Sequence, residues 1–432
     1  MTEDFSWSRD TAAKRLADTR QRVAEDTAET RHVFTQLFCD DLLPEALPDT
    51  PLSGALVSIK DLLDVEGYTT RAGTVFMANN PAAERDAEVV SRLRAQGCVF
   101  VGHTNMTELA YSGLGLNPHY GTPENARFPG CIPGGSTSGG AVSVALGFAD
   151  FTIGTDTGGS LRIPAAFNGI TGFKPSQSTA SHRGCYPLSR SLDSIGPMAR
   201  DVATCRTVWQ AISEPGVVAS RQVRPEFVIP ENFGTDDMDP VVASAFDTAI
   251  AKLQEQGYSI STERLSALDR MKDLAVWQFS AVESRAVYNE AFTLRKDEFD
   301  PRVASRMARA DEATAISYRQ LLDARAALIP AFEAELDNRI LLMPTVPILP
   351  PKMSVMEDDE AYSRLNLLVL RNPTVANVMN GCSLSLPFSD DGNLIGVMLT
   401  AANQSDLSLL DFAARIETAL AELALPRRSP SA

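Results

Sequence analysis

The segment PGGSTSGGAVSVALGFADFTIGTDTGGSLRIPAAFNG, residues 133–169, is the most informative part of this sequence. Glycine is concentrated there, although the whole chain of 432 residues contains only 27 glycines. Because glycine reaches backbone conformations that other residues avoid, this concentration predicts a specialised backbone. Two serines, Ser136 and Ser160, directly follow glycine pairs in this segment, and both are candidates for chemistry.

The sequence before this segment alternates between strand and helix patterns. Residues 52–65 predict a buried strand followed by a turn. Residues 86–98 predict a helix that stops at Gly97, and residues 98–105 predict a short apolar strand. A strand, a helix and a strand in such close succession indicate α/β layering.

Apolar periodicity predicts further elements along the rest of the chain. The charge-rich residues 6–38 predict one or two amphipathic helices, and residues 240–335 are predicted to be mostly helical with a break at Pro301. The other predictions are a helix over 200–215, a strand within 339–351, a strand over 393–402 and an amphipathic helix over 406–423.

The composition bounds the partners of the chain. It carries 39 basic and 55 acidic side chains, with a net charge of −16. Such a surface repels phosphate backbones and anionic lipids, so we expect neither nucleic-acid nor membrane binding. The N-terminus lacks the apolar segment of a signal peptide, and the six cysteines form no C-x-x-C pair, which favours a cytoplasmic location with reduced thiols. The four histidines form no cluster, so we predict neither a metal site nor a cofactor.

Lys60 is a candidate base from its surroundings alone. The glycine-rich segment fits no phosphate-binding motif, and neither candidate serine lies in a G-x-S-x-G turn with a histidine base. Lys60 lies among apolar residues, where burial disfavours the charged amine and lowers its pKa. The alternative is a lysine that pairs with Asp61 or Asp64 at the sheet edge, and the pattern alone leaves both interpretations open.

Several sequence blocks, in order, resemble the amidase signature family. Residues 133–147 followed by 152–176 resemble that family's hallmark stretch. The flanking blocks that also match are VSIKDLLDVEG (57–67), VGHTNMTELAYSGLGLNPHYGTPENA (101–126), LDSIGPMARDV (192–202), NPTVANVMNGCSLSLPF (372–388) and GNLIGVMLTAA (392–402). Clear matches run over about 52–205 and weaker ones over 340–403, whereas residues 1–50 and 215–335 carry no matching block.

The resemblance implies a catalytic set of two serines and a lysine. Ser160 matches the nucleophile that forms the acyl-enzyme, and Lys60 matches the base. Ser136 matches the bridging serine, and the family pattern implies a cis peptide bond between Gly135 and Ser136. The spacing of Ser136 and Ser160 in this chain is the spacing that the family shows.

Further site residues follow from the same resemblance. The backbone N–H groups of Thr157, Gly158, Gly159 and Ser160 are expected to hold the oxyanion. The remaining residues that the resemblance implicates are Asp156 and Arg162 as a supporting pair and Ala110 in the acyl pocket. The sequence departs from the family pattern at His103, where lysine is usual, which affects only local packing.

The resemblance also implies the fold. We expect an α/β protein with a single α/β/α domain over residues 1–432, in which helices cover both faces of a large mixed twisted central sheet. The hallmark core is expected at about 52–205. A helical segment at about 235–335 is expected to shape the substrate side, and a C-terminal block at about 340–432 to return to the core.

The function that the resemblance implies is an amidohydrolase that cleaves a small carboxamide and releases ammonia or an amine. Two alternatives remain open: the glutaminase-type component of a tRNA-dependent amidotransferase complex, and a non-enzymatic scaffold that has kept the fold. Candidate substrates range from aliphatic and aryl amides to urea-like compounds such as carboxybiuret. The expected partner is the small-molecule amide, and a homodimer is an open option because homodimers are common among relatives.

Overall fold

The computed structural model describes residues 8–39, 43, 46–217 and 221–421. Within these ranges, eleven strands join one mixed sheet. The strands are β1 (Phe34–Leu37), β2 (Leu56–Lys60), β3 (Val99–Thr104), β4 (Phe151–Asp156), β5 (Thr171–Lys174), β6 (Ser194–Ala199), β7 (Glu226–Pro230), β8 (Ser259–Glu263), β9 (Ile340–Pro344), β10 (Cys382–Asp390) and β11 (Asn393–Ala401).

Twelve α-helices lie in the described ranges. They are α1 (Arg9–Ala24), α2 (Glu88–Ala95), α3 (Ser138–Ala145), α4 (Arg162–Asn168), α5 (Val202–Ile212), α6 (Pro240–Glu255), α7 (Ser266–Lys272), α8 (Trp277–Leu294), α9 (Pro301–Ala308), α10 (Ala315–Leu336), α11 (Asp359–Val378) and α12 (Asp406–Ala421). None of these helices combines the length and the apolar character that crossing a lipid bilayer requires.

The sheet combines two parallel regions with an antiparallel centre. Its strand order is β1-β3-β2-β4-β6-β5-β10-β11-β9-β7-β8. Strand β2 runs parallel to both β3 and β4, and β7 runs parallel to both β8 and β9. The strands between β4 and β9 pair antiparallel. This architecture confirms the predicted α/β class with a large mixed sheet.

Helices cover both faces of the sheet because successive side chains of a strand point to opposite faces. Ile340 and Leu342 of β9 join a cluster that includes residues of α2, α5, α6 and α12. Leu341 and Met343, the alternate residues of the same strand, join a second cluster with residues of α7, α10 and α11. The same alternation in β2 places Val57 and Ile59 in the first cluster.

The structure corrects two of the predictions from periodicity. Residues 6–38 are not helical throughout, since α1 ends at Ala24 and β1 then pairs antiparallel with β3 at the edge of the sheet. Residues 240–335 are mostly helical, but β8 interrupts them as the other edge strand. Pro301, predicted as a break, is the first residue of α9. Residues 422 and 423 of the predicted last helix lie outside the described residues, as do residues 6 and 7 of the first.

The other predicted elements are confirmed. Strand β2 is buried along its whole length, and α2 ends just before Gly97, whose φ of +75° suits glycine. Because β2 and β4 are parallel neighbours, both end at the same edge of the sheet. Lys60 is the last residue of β2 and Asp156 the last of β4, so the topology brings the two ends together.

Candidate active site

Lys60 is buried and directly contacts Ser136. Its Nζ atom lies 2.7 Å from the Ser136 Oγ, and the side chain has 0% exposure. The same Nζ lies 3.1 Å from the Oγ1 and 3.4 Å from the carbonyl oxygen of Thr155. The alternative of an ion pair with Asp61 or Asp64 is therefore wrong. Asp61 instead lies 3.8 Å from Nη1 of Arg71.

Burial governs the protonation of Lys60. Desolvation lowers its pKa from 10.5 to about 7, against the opposing influence of Cys185, Asp156 and Asp193. A neutral amine has two hydrogens and one lone pair. The two oxygen atoms of Thr155 match the two hydrogens, and the Ser136 hydroxyl matches the lone pair. The geometry thus accommodates an uncharged Lys60 that accepts a hydrogen bond from Ser136.

Ser136 precedes α3 in a tightly packed turn. The Gly135–Ser136 peptide bond is cis, which confirms that implication of the resemblance. A Cβ atom at Gly135 would lie 2.6 Å from the backbone nitrogen of Gly115, so only glycine fits at that position. The Ser136 carbonyl accepts a hydrogen bond from the Thr107 amide at 3.1 Å. Both neighbours of this turn therefore hold the Ser136 hydroxyl toward Lys60.

Ser160 lies in the turn between β4 and α4, beside the Ser136 turn. Its carbonyl accepts a hydrogen bond from the Thr137 amide at 3.3 Å, which joins the two turns. The residue is only 3% exposed. Among the residues that the structure describes, no hydrogen bond reaches its hydroxyl, and none joins it to Ser136. The structure therefore brings Lys60 and Ser136 into contact and places Ser160 next to them with a free hydroxyl.

Asp156 and Arg162 form a buried ion pair that shapes the Ser160 turn. Nε and Nη2 of Arg162 lie 3.1 Å and 2.9 Å from the two carboxylate oxygens, and both residues are fully buried. The amides of Gly159 and Leu161 donate to the same carboxylate. Burial alone would raise the pKa of Asp156, but the guanidinium of Arg162 outweighs it and holds the pKa at about 2. The pair was predicted as structural support, and its geometry agrees.

The C-terminal block covers this ion pair. Asn377 of α11 donates from Nδ2 to the backbone and side-chain oxygens of Asp156, both at 3.0 Å. Its Oδ1 accepts a hydrogen bond from Arg162 at 2.7 Å, and Arg162 also donates to the Pro373 carbonyl at 2.8 Å. Asn377 lies 221 residues from Asp156 in the chain, and the residue patterns contained no signal for this contact.

The predicted oxyanion amides are only partly available. Gly159 donates its amide to Asp156 at 2.8 Å, so this amide is already used, contrary to the prediction. The amides of Thr157, Gly158 and Ser160 donate no hydrogen bond within the described ranges. Gly159 instead provides the turn itself, with φ of +128° and no room for a Cβ, which would lie 2.6 Å from that of Pro373.

Asp193 is a site residue that the sequence reasoning missed. Its carboxylate accepts the Thr157 hydroxyl at 2.5 Å and the amides of residues 188 and 189 at 3.0 Å. Burial raises the pKa of Asp193 to about 7, although these hydrogen bonds oppose the rise. The only signal was its place in the matched block LDSIGP, which did not indicate a role.

Two other residues from the sequence analysis lie near this region. Ala110 is buried in a short 3₁₀ turn at Glu108–Ala110 with φ of +60°, and its place in an acyl pocket stays a prediction. His103 is fully buried, with Nε2 3.1 Å from the Leu63 carbonyl oxygen, and burial lowers the pKa of its ring. This environment agrees with a packing role for His103.

The fold and this arrangement define a class of hydrolase that acts on C–N bonds, and comparison with known proteins supports that class. A family model described as Amidase matches residues 40–410, so the chain belongs to the amidase family. The resemblance found in the sequence blocks is thereby confirmed.

Three relatives illustrate the range of the family. The chain is 32% identical to the 2-amino-5-chloromuconic acid deaminase of Comamonas testosteroni, over 89% of this chain and 85% of the relative. It is 28% identical to a Glutamyl-tRNA(Gln) amidotransferase component of Halobacterium salinarum, over 88% and 99%. A crystal structure of an amidase, 28% identical, superposes with a TM-score of 0.83 over 95% of this chain and 96% of that chain. The chain is therefore an amidase-family hydrolase that acts on amides.

Proposed function

We propose that the chain hydrolyses a small carboxamide through an acyl-enzyme on Ser160. The observation that carries the proposal is the contact of 2.7 Å between the Lys60 Nζ and the Ser136 Oγ, in a fully buried pair. A buried amine whose pKa is about 7 is partly neutral at physiological pH and is suited to act as a general base.

The first half-reaction forms the acyl-enzyme. The Ser160 hydroxyl turns toward Ser136, and its oxygen attacks the amide carbonyl. The proton of Ser160 passes to the Ser136 oxygen while the proton of Ser136 passes to Lys60. The free amides of Thr157, Gly158 and Ser160 are suited to stabilise the negative oxygen of the tetrahedral intermediate. The proton then returns by way of Ser136 to the leaving nitrogen, and ammonia or an amine departs as the C–N bond breaks.

The second half-reaction releases the acid. Water attacks the ester carbonyl of the acyl-enzyme, and its proton passes by way of Ser136 to neutral Lys60. The ester bond breaks, Ser160 regains a proton, and the carboxylic acid leaves. Asp156 and Arg162 act in this scheme only by holding the Ser160 turn.

The experiment is a screen for ammonia release over a panel of aliphatic, aryl and urea-like amides, with Ser160→Ala as the matched control. We expect Ser160→Ala to lose about 10⁴-fold or more of the turnover. Because the Ser160 hydroxyl has no hydrogen bond within the described ranges, the variant should unfold at nearly the wild-type urea concentration. Turnover that survives in a folded Ser160→Ala protein would refute the role of Ser160.

The relative from Halobacterium salinarum supports keeping the glutaminase alternative. The matched region covers 99% of that relative, so length does not separate the two proteins. If the purified chain releases ammonia from glutamine only when a partner protein is added, the glutaminase function replaces that of a free-standing amidase. A chain that hydrolyses other amides alone and ignores glutamine excludes this alternative.

A further inference from the structure

Two cavities on one side of the candidate active site share a single arginine. The first has a volume of about 410 Å³ and the second about 470 Å³. The lining residues of the first are His182, Arg183, Cys185, Pro187, Arg190 and Asp193. Those of the second are Arg190, Glu283, Ala286 and Val287. Because Arg190 lines both, the two cavities meet at its side chain, and we call them together the Arg190 cleft.

The Arg190 cleft adjoins Lys60 and the Ser160 turn. The segment that forms its wall pairs with the chain directly after β2, where the Tyr186 amide donates to the Leu62 carbonyl at 2.9 Å. At its inner end, Asp193 holds the Thr157 hydroxyl at 2.5 Å. Ser160 itself lines neither cavity, and Asp193 is the link between the cleft and the turn. A substrate whose amide lies at Ser160 can therefore extend its remaining atoms into the cleft.

Both acids in the cleft already have hydrogen-bond donors. Asp193 accepts one hydroxyl and two backbone amides. Glu283 accepts the Ser189 hydroxyl at 2.8 Å and the Ser191 amide at 3.0 Å. It also accepts hydrogen bonds from the hydroxyls of Ser191 and Tyr318. Neither carboxylate forms an ion pair with Arg190 in the part of the chain that the structure describes.

Arg190 is exposed and its guanidinium has no partner. Among the described residues it has no ion pair, no side-chain hydrogen bond and no aromatic contact. The other arginine of the cleft, Arg183, pairs with Glu88 at 2.7 Å. In a chain with a net charge of −16, an unpaired arginine beside a candidate active site is unusual, because acidic partners are abundant. A guanidinium presents a planar set of donors that matches a carboxylate.

His182 gives the cleft a second unpaired polar group. Its Nε2 atom is buried and has no hydrogen-bond partner within the described ranges. Burial lowers the pKa of His182, so the ring is neutral at physiological pH. A buried polar atom without a partner costs free energy unless a ligand or water satisfies it. Two groups that lack partners, Arg190 and His182, thus line the same cavity.

We propose that the Arg190 cleft binds an anionic group of the substrate, so that the preferred substrates are carboxamides that also carry a carboxylate. Arg190 is the residue that selects them, and it pairs with the carboxylate while the amide lies at Ser160. This inference rests on the proposed amidase function, because it concerns the part of the substrate that remains on the acyl group.

The test compares matched amides with and without a carboxylate. Succinamate and glutaramate are paired with butyramide and pentanamide, which carry a methyl group in place of the carboxylate. We expect the wild-type protein to have a higher kcat/KM for each carboxylated amide than for its neutral counterpart. In Arg190→Gln, this preference should fall by about 10- to 100-fold, mainly through KM, because a charge-assisted hydrogen bond is lost.

Two further variants sharpen the result. Arg206→Gln removes an exposed arginine that pairs with Asp411 far from the cleft lining, and it should keep the wild-type preference. Arg190→Glu should reverse the preference and favour 4-aminobutanamide, whose end group is cationic. If the wild-type protein shows no preference, or if Arg190→Gln lowers kcat/KM equally for both members of each pair, the inference is overturned.

A labelling experiment separates failure of this inference from failure of the amidase proposal. A serine-reactive phosphonate should label Ser160, and succinate or glutarate should slow the labelling in the wild-type protein but not in Arg190→Gln. Absence of labelling at Ser160 counts against the proposed catalytic set. Labelling that proceeds at the same rate with and without the dicarboxylates counts against the Arg190 cleft alone.

Discussion

The amine of Lys60 lies 2.7 Å from the hydroxyl of Ser136, and neither side chain has any exposed surface. This relationship couples the protonation of one buried group to the hydrogen bonding of the other. When the amine is neutral, it can accept the Ser136 proton, and when it is charged, it can only donate. The pH at which the amine changes its charge is therefore the property that the following predictions examine first.

The rate of hydrolysis should depend on the neutral form of Lys60. Because its pKa is about 7, we expect kcat/KM to fall roughly tenfold for each pH unit below that value and to level off above it. The measurement is a pH–rate profile from pH 5 to 9 on any amide that the chain hydrolyses. A profile that stays flat across this range would contradict a lysine base.

Asp193→Asn separates Lys60 from the other group that titrates in this range. The pKa of Asp193 is also about 7, and its charge raises the pKa of Lys60. If Lys60 causes the loss of rate at low pH, the loss should persist in Asp193→Asn and move to lower pH. If the loss disappears in this variant, Asp193 is the group that controls the rate.

The stability of the protein should carry the same signature with a defined sign. The pKa of Lys60 is 10.5 in the unfolded reference state and about 7 in the folded state, so between these values the unfolded chain binds more protons. The free energy of unfolding therefore rises with pH in this window, by at most about 1.4 kcal/mol per pH unit. Relative to Lys60→Met, the wild-type protein should gain stability in urea unfolding as the pH rises from 7 to 10. Parallel curves for the two proteins would show that Lys60 is not depressed.

Removal of Arg162 should destabilise the protein far more than removal of an exposed arginine. In Arg162→Met, the buried Asp156 carboxylate loses its ion pair, and we expect a loss of about 3–5 kcal/mol in urea unfolding. The control is Arg206→Met, since Arg206 pairs with Asp411 at 2.7 Å with both side chains partly exposed, and it should cost about 1 kcal/mol or less. Equal losses for the two variants would mean that the Asp156–Arg162 pair contributes little.

The turn before Ser160 should tolerate no side chain at Gly159. Both Gly159 and Gly257 have positive φ, but a Cβ at Gly159 would lie 2.6 Å from the Pro373 Cβ, whereas a Cβ at Gly257 would meet no atom within 4 Å. Gly257→Ala should therefore cost about 1–2 kcal/mol for the backbone alone. Gly159→Ala should cost a further 1–3 kcal/mol or so for overpacking, with a loss of activity as the turn shifts. Similar melting temperatures for both variants would disprove the close packing at Gly159.

The predictable part of the fold is the part with a local pattern. Strand β2 and helix α2 were predicted because each buries a contiguous set of apolar residues. Strand β8 has the sequence SISTE and forms one edge of the sheet, with partly exposed side chains. Its polar residues do not reveal a strand, because an edge strand buries little surface and its pairing with β7 involves residues distant in the chain.

The candidate site shows the same limit. The pattern around Lys60 indicated burial but did not distinguish a base from a lysine paired with Asp61 or Asp64, because its partner Ser136 lies 76 residues away. The resemblance to a family supplied that partner. Neither the pattern nor the resemblance indicated Asn377, Asp193 or Arg190, since their roles depend on contacts between segments that a single sequence does not connect.

Helix α11 has a consequence for the order in which this protein matures. Lys60, Ser136 and Ser160 all lie in the first half of the chain, whereas Asn377 and Pro373, which enclose the Asp156–Arg162 pair, lie near its end. A nascent chain thus carries every reactive side chain long before the ribosome has produced the helix that holds the serine turn in place. Synthesis of almost the whole polypeptide must precede the first hydrolytic cycle, and a prematurely terminated product is inert.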